Sequence, residues 1–303
     1  MEENIVANKK ITIYYYYPIK IENEKTKILD LSKILEGLSE MKPEERVIIK
    51  KEENIQLKKI EYKDNKWRLS FLRNIIDSPF KTKLDDEVDT AESLDEDEYV
   101  GQECCAIYDE KSKVIAIQNN RNSISYNGIA NFLRNYTEDN ILLSPITYQD
   151  KYCKISDDET IKYKSVIIGY TDVSLLNEIA TKENNESIIG LTKMANDLSA
   201  LNGKIELSVG KKKTFLEKIQ LRGIVDFFKK HNDITKTLKV KMIDDDTIRI
   251  IDLINNKVFD SANISITKDD PKTFDKILDV IDSYLKSALA ETFNKCNIYV
   301  NPE

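Results

Sequence analysis

Residues 99–137 read YVGQECCAIYDEKSKVIAIQNNRNSISYNGIANFLRNYT, and this stretch decides the fold that we expect. Two apolar segments, 103–108 and 114–120, flank the polar turn 109–112, which is the pattern of a β-hairpin. A helix is expected to begin near Ser125. Its inward-facing residues at helical spacing are Ile129, Phe132 and Leu133. A hairpin followed by a helix predicts an α+β protein, with antiparallel or mixed sheets and helices packed on them.

The residues before this stretch extend the same pattern. Strands are expected at 9–19, where Pro18 closes the strand, and at 47–50, 55–62 and 67–75, the last two joined by a turn at 63–66. A short helix is expected after Asp30 as its N-cap, with an apolar face of Leu31, Ile34, Leu35 and Leu38. Trp67, Leu69 and Phe71 share one strand face, and we interpret them as core, with a base-stacking platform as the alternative.

The second half repeats the mixture of strands and helices. After a strand at 141–148 we place a boundary between two domains, 1–160 and 161–303. Further strands are expected at 163–170, 204–209, 238–243, 248–254 and 263–267, and the first of them is followed by polar residues at 178–187. Helices are expected at 187–201, capped by Asn202-Gly203, from Gly210 to Lys230, and from Pro271 to about 294. The last helix carries an apolar stripe that packs on its own sheet or forms a homodimer seam.

Composition limits the class of protein. The chain has 303 residues and 33% charged side chains, and it shows neither a secretory leader at its start nor an apolar run long enough to span a bilayer. We therefore expect a cytoplasmic protein without direct membrane insertion. The four cysteines lack metal-binding spacing, so buried free thiols are expected. No glycine-rich nucleotide loop is present, and no cofactor is predicted.

The residues that support catalysis are few. His231 is the single histidine and follows a predicted helix end, where it reads as capping chemistry, so histidine-based metal or phosphodiester sites are not expected. Carboxylate chemistry with metal ions needs only acids, and Glu61-Tyr62-Lys63 and Asp244-Asp245-Asp246 are the candidates. We expect a protein that is not an enzyme and that holds no metal, with a metal-dependent nuclease as a distant alternative.

Charge is distributed unevenly along the chain, whose net charge is −7. Residues 85–98 contain nine acids and no Lys or Arg, whereas residues 204–241 contain eleven Lys or Arg against four acids. The local field decides where a polyanion docks, so the basic segment can bind nucleic acid despite the negative total. The acidic segment is either a solvated loop, a cover for the basic surface, or a contact for a partner.

The basic segment predicts a surface for phosphates. In a regular helix after Gly210, Lys211, Lys218, Arg222 and Lys229 fall within about 40° of one another and form a stripe roughly 27 Å long. Neighbouring lysines broaden it, namely Lys212, Lys213, Lys230, Lys236, Lys239 and Lys241. Lysine favours phosphate contact over base reading, so non-specific, salt-sensitive binding of double-stranded DNA is expected. A solvated helix face is the alternative.

A second, smaller group of polar residues lies between the hairpin and the helix of the opening stretch. Gln118, Asn119, Asn120 and Arg121 follow the strand end, from which amides and a guanidinium can reach phosphates or base edges. Ordinary turn chemistry is the alternative. Arg121 is therefore a secondary candidate for DNA contact.

The order of these features resembles phage-exclusion proteins of the RexA type. The matching segments are 30–38, 67–71, 95–101, 123–125, 143–146, 205–209 and 238–241. The resemblance implies a homodimeric, sequence-tolerant DNA-binding sensor in antiviral defence, which acts in phage exclusion or abortive infection through a membrane-protein effector partner. It also implies that Lys211, Lys218, Arg222 and Lys229 hold phosphates. A protein-interaction module without nucleic-acid binding, which uses the last helix and the acidic segment as its surfaces, remains the alternative.

Overall fold

The computed structural model describes residues 6–22, 25–49, 53–83, 85, 87, 90–149, 153–212, 214–244 and 247–297. These residues form two sheets and six α-helices, which confirms the predicted α+β class. The strands are β1 (Ala7–Glu22), β2 (Lys25–Ile28), β3 (Val47–Ile49), β4 (Asn54–Lys63), β5 (Lys66–Ile75), β6 (Val100–Asp109), β7 (Val114–Gln118), β8 (Leu142–Pro145), β9 (Lys162–Tyr170), β10 (Gly203–Ser208), β11 (Thr235–Asp244), β12 (Thr247–Asp252) and β13 (Phe259–Ile266). The helices are α1 (Ser32–Glu40), α2 (Tyr126–Arg134), α3 (Val173–Lys182), α4 (Glu186–Asp197), α5 (Lys218–Lys230) and α6 (Phe274–Ser287).

The chain divides into two compact units. The first runs through Ile146 and resumes at Asp260–Asn294, and the second comprises Thr147–Phe259 with Lys295–Asn297. This division differs from the boundary that we expected at residue 160, which placed the whole C-terminal segment in the second domain. The difference arises because α6 packs on β6 and β7 of the first unit. The first unit is therefore assembled from both ends of the chain.

The larger sheet has the order β13-β1-β7-β6-β5-β4-β3, with β2 and β8 also paired to β1. Strand β1 changes partners along its length, from β7 to β8 and then to β2. Pro18 lies inside β1 and does not end it, contrary to our prediction. Its carbonyl accepts a hydrogen bond from the Leu29 backbone N–H at 2.8 Å. Proline has no backbone N–H and cannot donate a hydrogen bond to a neighbouring strand. It is tolerated here because β8, the strand opposite Pro18, is short and lies off the main sheet order.

The predicted hairpins of this sheet are present. Strands β4 and β5 are joined by Asp64 and Asn65, both at positive φ (53° and 58°), as a two-residue hairpin turn requires. Strands β6 and β7 form the hairpin of the opening stretch. Ser125 caps α2 by accepting a hydrogen bond from the Gly128 N–H at 3.2 Å, which confirms the predicted helix start.

The two faces of the larger sheet carry different helices. One face packs against α1 and α2 in a single core that includes Trp67, Leu69 and Phe71, which confirms their assignment to the core. The alternate residues Lys66 and Arg68 face the other side. There they pair with α6 carboxylates. Helices α1 and α2 therefore lie on one face of the sheet and α6 on the other.

Helix α6 packs on its own chain through its apolar stripe. Ile277, Leu278, Ile281 and Leu285 are buried. The helix begins at Phe274, because Thr273 caps it by accepting a hydrogen bond from the Lys276 N–H at 3.2 Å, so Pro271 precedes the helix, contrary to our prediction. The apolar stripe of α6 is thus buried against strands of the same chain, so it does not offer a surface for a second copy. The homodimer itself stays a prediction.

Several other boundaries differ from those predicted. Leu31 stands at the N-cap position of α1, and Asp30 instead accepts hydrogen bonds from the N–H and hydroxyl of Ser32. Helix α3 was not predicted, although Asp172 caps it. Helix α4 ends at Asp197, before a positive φ at Ser199, so Gly203 begins β10 and does not cap a helix. All four cysteines are free and buried, as expected.

Candidate nucleic-acid interface

The second sheet, in the order β10-β9-β11-β12, has a buried face and a partly exposed face. Val166 and Ile168 of β9 pair with Val240 and Leu238 of β11, and all four are buried. The Phe228 ring of α5 stacks on the Tyr170 ring of β9, with 6.5 Å between the ring centroids. Tyr170 lies two residues after Ile168 and therefore on the same face of the strand. Because successive strand residues alternate between faces, helix α5 lies on this buried face.

The opposite face of the second sheet carries lysines. Lys239 and Lys241 pair with Ile167 and Ser165, and Lys162 pairs with Ile243, so these side chains share the face away from α5. The register shifts between Lys241 and Met242, which places Lys164 of β9 opposite no residue of β11. Such a bulge lets two neighbouring residues lean to one side.

A ring anchors the chain that follows β10 to this face. Lys162 Nζ lies 5.0 Å and Lys164 Nζ 4.6 Å from the centroid of the Phe215 ring. Lys164 also donates hydrogen bonds to the backbone carbonyls of Lys212 (2.6 Å) and Thr214 (3.2 Å). The loop therefore lies against the lysine-bearing end of β9. We call the set formed by Lys162, Lys164, Lys211, Lys212, Phe215, Lys239 and Lys241 the lysine face.

Most cations of the lysine face lack an acidic partner. Within the described parts of the chain, Lys162, Lys164, Lys211, Lys212 and Lys241 make no ion pair. Lys239 is the exception, with Asp252 at 3.7 Å and the Phe259 ring at 4.8 Å. The register also brings Glu206 of β10 to this side, opposite Ile167. Positive charge on the lysine face therefore exceeds negative charge.

The charge of the second unit supports the same conclusion. Residues 147–259 contain 19 Lys and Arg against 17 Asp and Glu, whereas the whole chain has 46 against 53. The negative total of the protein therefore comes from the first unit. A polyanion that approaches the lysine face meets a locally positive surface.

The predicted helical stripe does not exist as one helix. Helix α5 begins at Lys218, so Lys211 lies seven residues before it, in the loop that follows Gly210. Gly210 turns the chain at φ 61°, and the Leu216 N–H donates to the Tyr163 carbonyl at 2.9 Å. These contacts keep the loop extended along β9, and a helix would have to break them.

The cations that α5 does carry bind another segment of the second unit. Lys229 donates to the Cys153 carbonyl at 3.0 Å, and Arg222 donates to the Ile155 carbonyl at 3.3 Å. Arg222 also pairs with the Asp157 carboxylate, and Lys218 donates to the Asp158 carbonyl. Residues 153–158 therefore run along α5, and the three cations that we expected to hold phosphates hold this segment instead.

The remaining predicted residues are dispersed. Lys230 pairs with Glu183 at 2.6 Å, and His231 caps α5 with its Nε2 3.1 Å from the same carboxylate. Arg121 is exposed in the turn between β7 and α2 of the first unit. Lys213 lies outside the described residues. Of the predicted site, the structure places Lys239 and Lys241 on the sheet face that Lys162 shares, and Lys211 and Lys212 in the loop that Lys164 binds.

Three residues of the lysine face were missed from sequence. Lys162 and Lys164 have the same parity as Val166 and Ile168, so regular strand alternation would place them on the buried face. The register shift between Lys241 and Met242 reverses this, and no local signal in the sequence predicts that shift. The contact of Phe215 with both lysines was not predictable either, because it depends on the return of the loop toward β9.

The acidic segment contributes to the first unit. Glu92, Asp97, Glu98 and Tyr99 line a cavity of about 700 Å³ together with residues of β3, β4 and β5. Asp86 and Asp89 lie outside the described residues. Three of the described acids, Glu92, Asp97 and Glu98, thus form part of the wall of a cavity on the larger sheet.

The acids named for nuclease chemistry are not gathered in the described residues. Glu61 lies 3.7 Å from Lys59 and is partly exposed on β4. Asp245 and Asp246 fall outside the described residues, and the described ones contain no cluster of three His, Cys, Asp or Glu side chains. The nuclease alternative stays untested.

The fold and the lysine face define an α+β protein of two units, each built on an antiparallel sheet, the second of which carries the lysine face. Residues 6–297 match a family of unknown function, DUF6731, and the chain belongs to this family. No curated protein matches the chain. Every helix in the described residues is too short or too polar to cross a bilayer.

Proposed function

We propose that the second unit binds the phosphate backbone of double-stranded DNA through the lysine face, without reading the base sequence. The observation that carries the proposal is the convergence of Lys162 and Lys164 on Phe215, in a face whose lysines other than Lys239 make no ion pair to described carboxylates. Lys241 lies on the same sheet face, and Lys211 and Lys212 belong to the loop that Lys164 binds. Uncompensated lysines gain most from phosphates, because binding releases counterions from the nucleic acid.

The arrangement suits backbone contact more than base reading. Alternate residues of a strand project roughly 7 Å apart, and neighbouring strands lie about 5 Å apart, so the face presents a flat grid of ammonium groups. Lysine is a point charge with no fixed fork, whereas the usual reader of guanine is arginine. The lysine face contains no arginine. Sequence-tolerant binding is therefore the expected behaviour.

A cytoplasmic sensor role in phage exclusion or abortive infection, with a membrane-protein effector, rests on the RexA-type resemblance alone and stays a prediction. DNA binding by the lysine face supports that role, because a replication-intermediate sensor needs such a surface. The two remain separable, since a phosphate-binding face can serve other processes on DNA.

A protein-interaction module is the second candidate, and a specific observation favours it. Met194, Leu198 and Leu201 on and after α4 are 59%, 75% and 81% exposed. Exposed apolar side chains grouped in this way are typical of protein contacts. The interaction module was expected to use the apolar stripe of α6, but that stripe is buried in the first unit. The exposed residues on and after α4 are therefore the surface on which this candidate rests.

Fluorescence anisotropy with two labelled duplexes of about 20 base pairs and unrelated sequence tests the proposal at about 50 mM salt. We expect both duplexes to bind with affinities equal within about twofold, since phosphates carry no sequence information. Failure to retain either duplex would favour the interaction module. Strong preference for one sequence would contradict a backbone-only interface.

A further inference from the structure

A cavity of about 420 Å³ lies in the first unit, between the α6 side of the larger sheet and the start of α6. Leu72, Phe274 and Ile277 give it apolar walls, and Glu103 and Lys272 give it a charged end. A Cβ at Gly101 would come within 2.9 Å of Leu72 Cδ2, so a glycine there keeps room for the Leu72 side chain in the wall. Its volume is that of a small-ligand site.

The carboxylate at the charged end is shared by two lysines, of which Lys272 lines the cavity and Lys9 lies beside it. Lys272 Nζ lies 2.5 Å from Glu103 Oε2, and Lys9 Nζ lies 3.4 Å from Glu103 Oε1. Gln118 Nε2 also donates to Oε1 at 3.3 Å, so hydrogen bonds reach both oxygens of the carboxylate. Two ammonium groups thus share one carboxylate whose side chain is only 9% exposed.

The surroundings lower the pKa of Lys272. Burial lowers the pKa of Lys272, the nearby Lys9 lowers it further, and the bond to Glu103 compensates only in part. An added anion would relieve this cost, because an opposite charge favours the charged form of a lysine.

The start of α6 adds to the attraction for anions. Thr273 and Phe274, the N-cap and first residue of this 14-residue helix, line the cavity. The first backbone N–H groups of a helix lack partners within it, and the helix dipole is positive at this end. The helix N-terminus, Lys9 and Lys272 therefore favour the same kind of ligand.

We propose that this cavity binds a small amphipathic anion, whose carboxylate or phosphate head pairs with Lys272 and whose apolar body lies against Leu72, Phe274 and Ile277. Lys9, beside Glu103, adds positive charge near the head. The site belongs to the first unit and does not depend on DNA binding by the second. Its ligand is distinguished by needing both a charged head and an apolar body.

Isothermal titration of the full chain with octanoate and octyl phosphate tests this site, with octan-1-ol and acetate as matched controls. We expect one equivalent of octanoate or octyl phosphate to bind, and octan-1-ol and acetate to bind at least about tenfold more weakly. Equal binding of octanoate and octan-1-ol, or no binding of either anion, would overturn the proposal.

Three variants locate the head group. Lys272→Gln should weaken octanoate binding about tenfold. Lys9→Gln should weaken it about threefold, because the Lys9 side chain is 42% exposed and lies beside the cavity. Glu103→Gln removes the competing carboxylate and should tighten binding about threefold. Lys268→Gln, an exposed change before α6, serves as the control and should leave the affinity unchanged. Unaltered affinity in both Lys9→Gln and Glu103→Gln would contradict the assignment even if Lys272→Gln did not fold.

Discussion

Duplex DNA affinity should fall about a hundredfold when Lys162 and Lys164 are both replaced by Glu, because two positive charges are lost from the lysine face and two repulsive charges appear. The change also releases the loop that Lys164 holds through the Lys212 and Thr214 carbonyls. Both lysines lie on the Phe215 ring at the centre of the lysine face. Fluorescence anisotropy at a fixed salt concentration measures the change. Lys241→Glu, a residue with no described hydrogen bond to the loop, should lower the affinity about tenfold without disturbing the loop.

A matched control separates local charge from total charge. Lys182→Glu with Lys193→Glu changes the net charge by the same amount on helices α3 and α4. We expect this pair to retain DNA affinity within about threefold, since the lost charges lie off the lysine face and are screened. An equal loss in both pairs would show that only the total charge matters and would contradict the proposed interface.

Replacements in the predicted stripe provide a second comparison. Lys218→Gln and Arg222→Gln release contacts to the Asp158 carbonyl and the Asp157 carboxylate. Because these cations already hold residues 153–158, their loss should leave DNA affinity within about twofold of the native value. A large loss of DNA affinity in Lys218→Gln and Arg222→Gln, with no loss in Lys162→Glu and Lys164→Glu, would place the DNA interface on α5.

Ile281→Ala should destabilise the protein by about 3 kcal/mol, because Ile281 is fully buried at the centre of the α6 stripe and its loss leaves a cavity. Chemical denaturation measures the free energy of unfolding. The loss should not depend on protein concentration, since α6 packs on β6 and β7 of the same chain. Ile219→Ala, at a residue that is 79% exposed, is the control and should cost less than about 0.5 kcal/mol.

A different outcome would restore the dimer interpretation of α6. If Ile281→Ala had little effect on unfolding but shifted a monomer–dimer equilibrium, the stripe would be a seam between copies. Ion pairs from Asp279 to Arg68 (2.7 Å) and from Asp282 to Lys66 (2.6 Å) argue for the intramolecular position.

The first half of the fold was predictable because its signals are local. The apolar segments 103–108 and 114–118, the turn at Asp64-Asn65 and the cap at Ser125 each act over a few residues, and each appears in the structure. The position of α6 was not predictable in this way. Its stripe specifies a buried face, but a pattern in one segment does not say which sheet covers it.

The candidate site was predicted only in part. The lysines of 204–241 carry the charge that we expected, but a helix was assumed from Gly210, and helical spacing joined Lys211 to Lys218. The extended loop is stabilised by long-range contacts, from Leu216 to Tyr163 and from Lys164 to the Lys212 carbonyl. Local propensity cannot anticipate such contacts, so Lys211 was assigned to a helix to which it does not belong.

The salt dependence of DNA affinity tests the central claim most directly. With about four lysines on phosphates, the logarithm of the association constant should fall linearly with the logarithm of salt concentration, with a slope near −4, and the slope should approach −2 in the variant with Lys162→Glu and Lys164→Glu. Absence of DNA binding at about 50 mM salt, or binding that does not change with salt, would contradict a phosphate-binding lysine face.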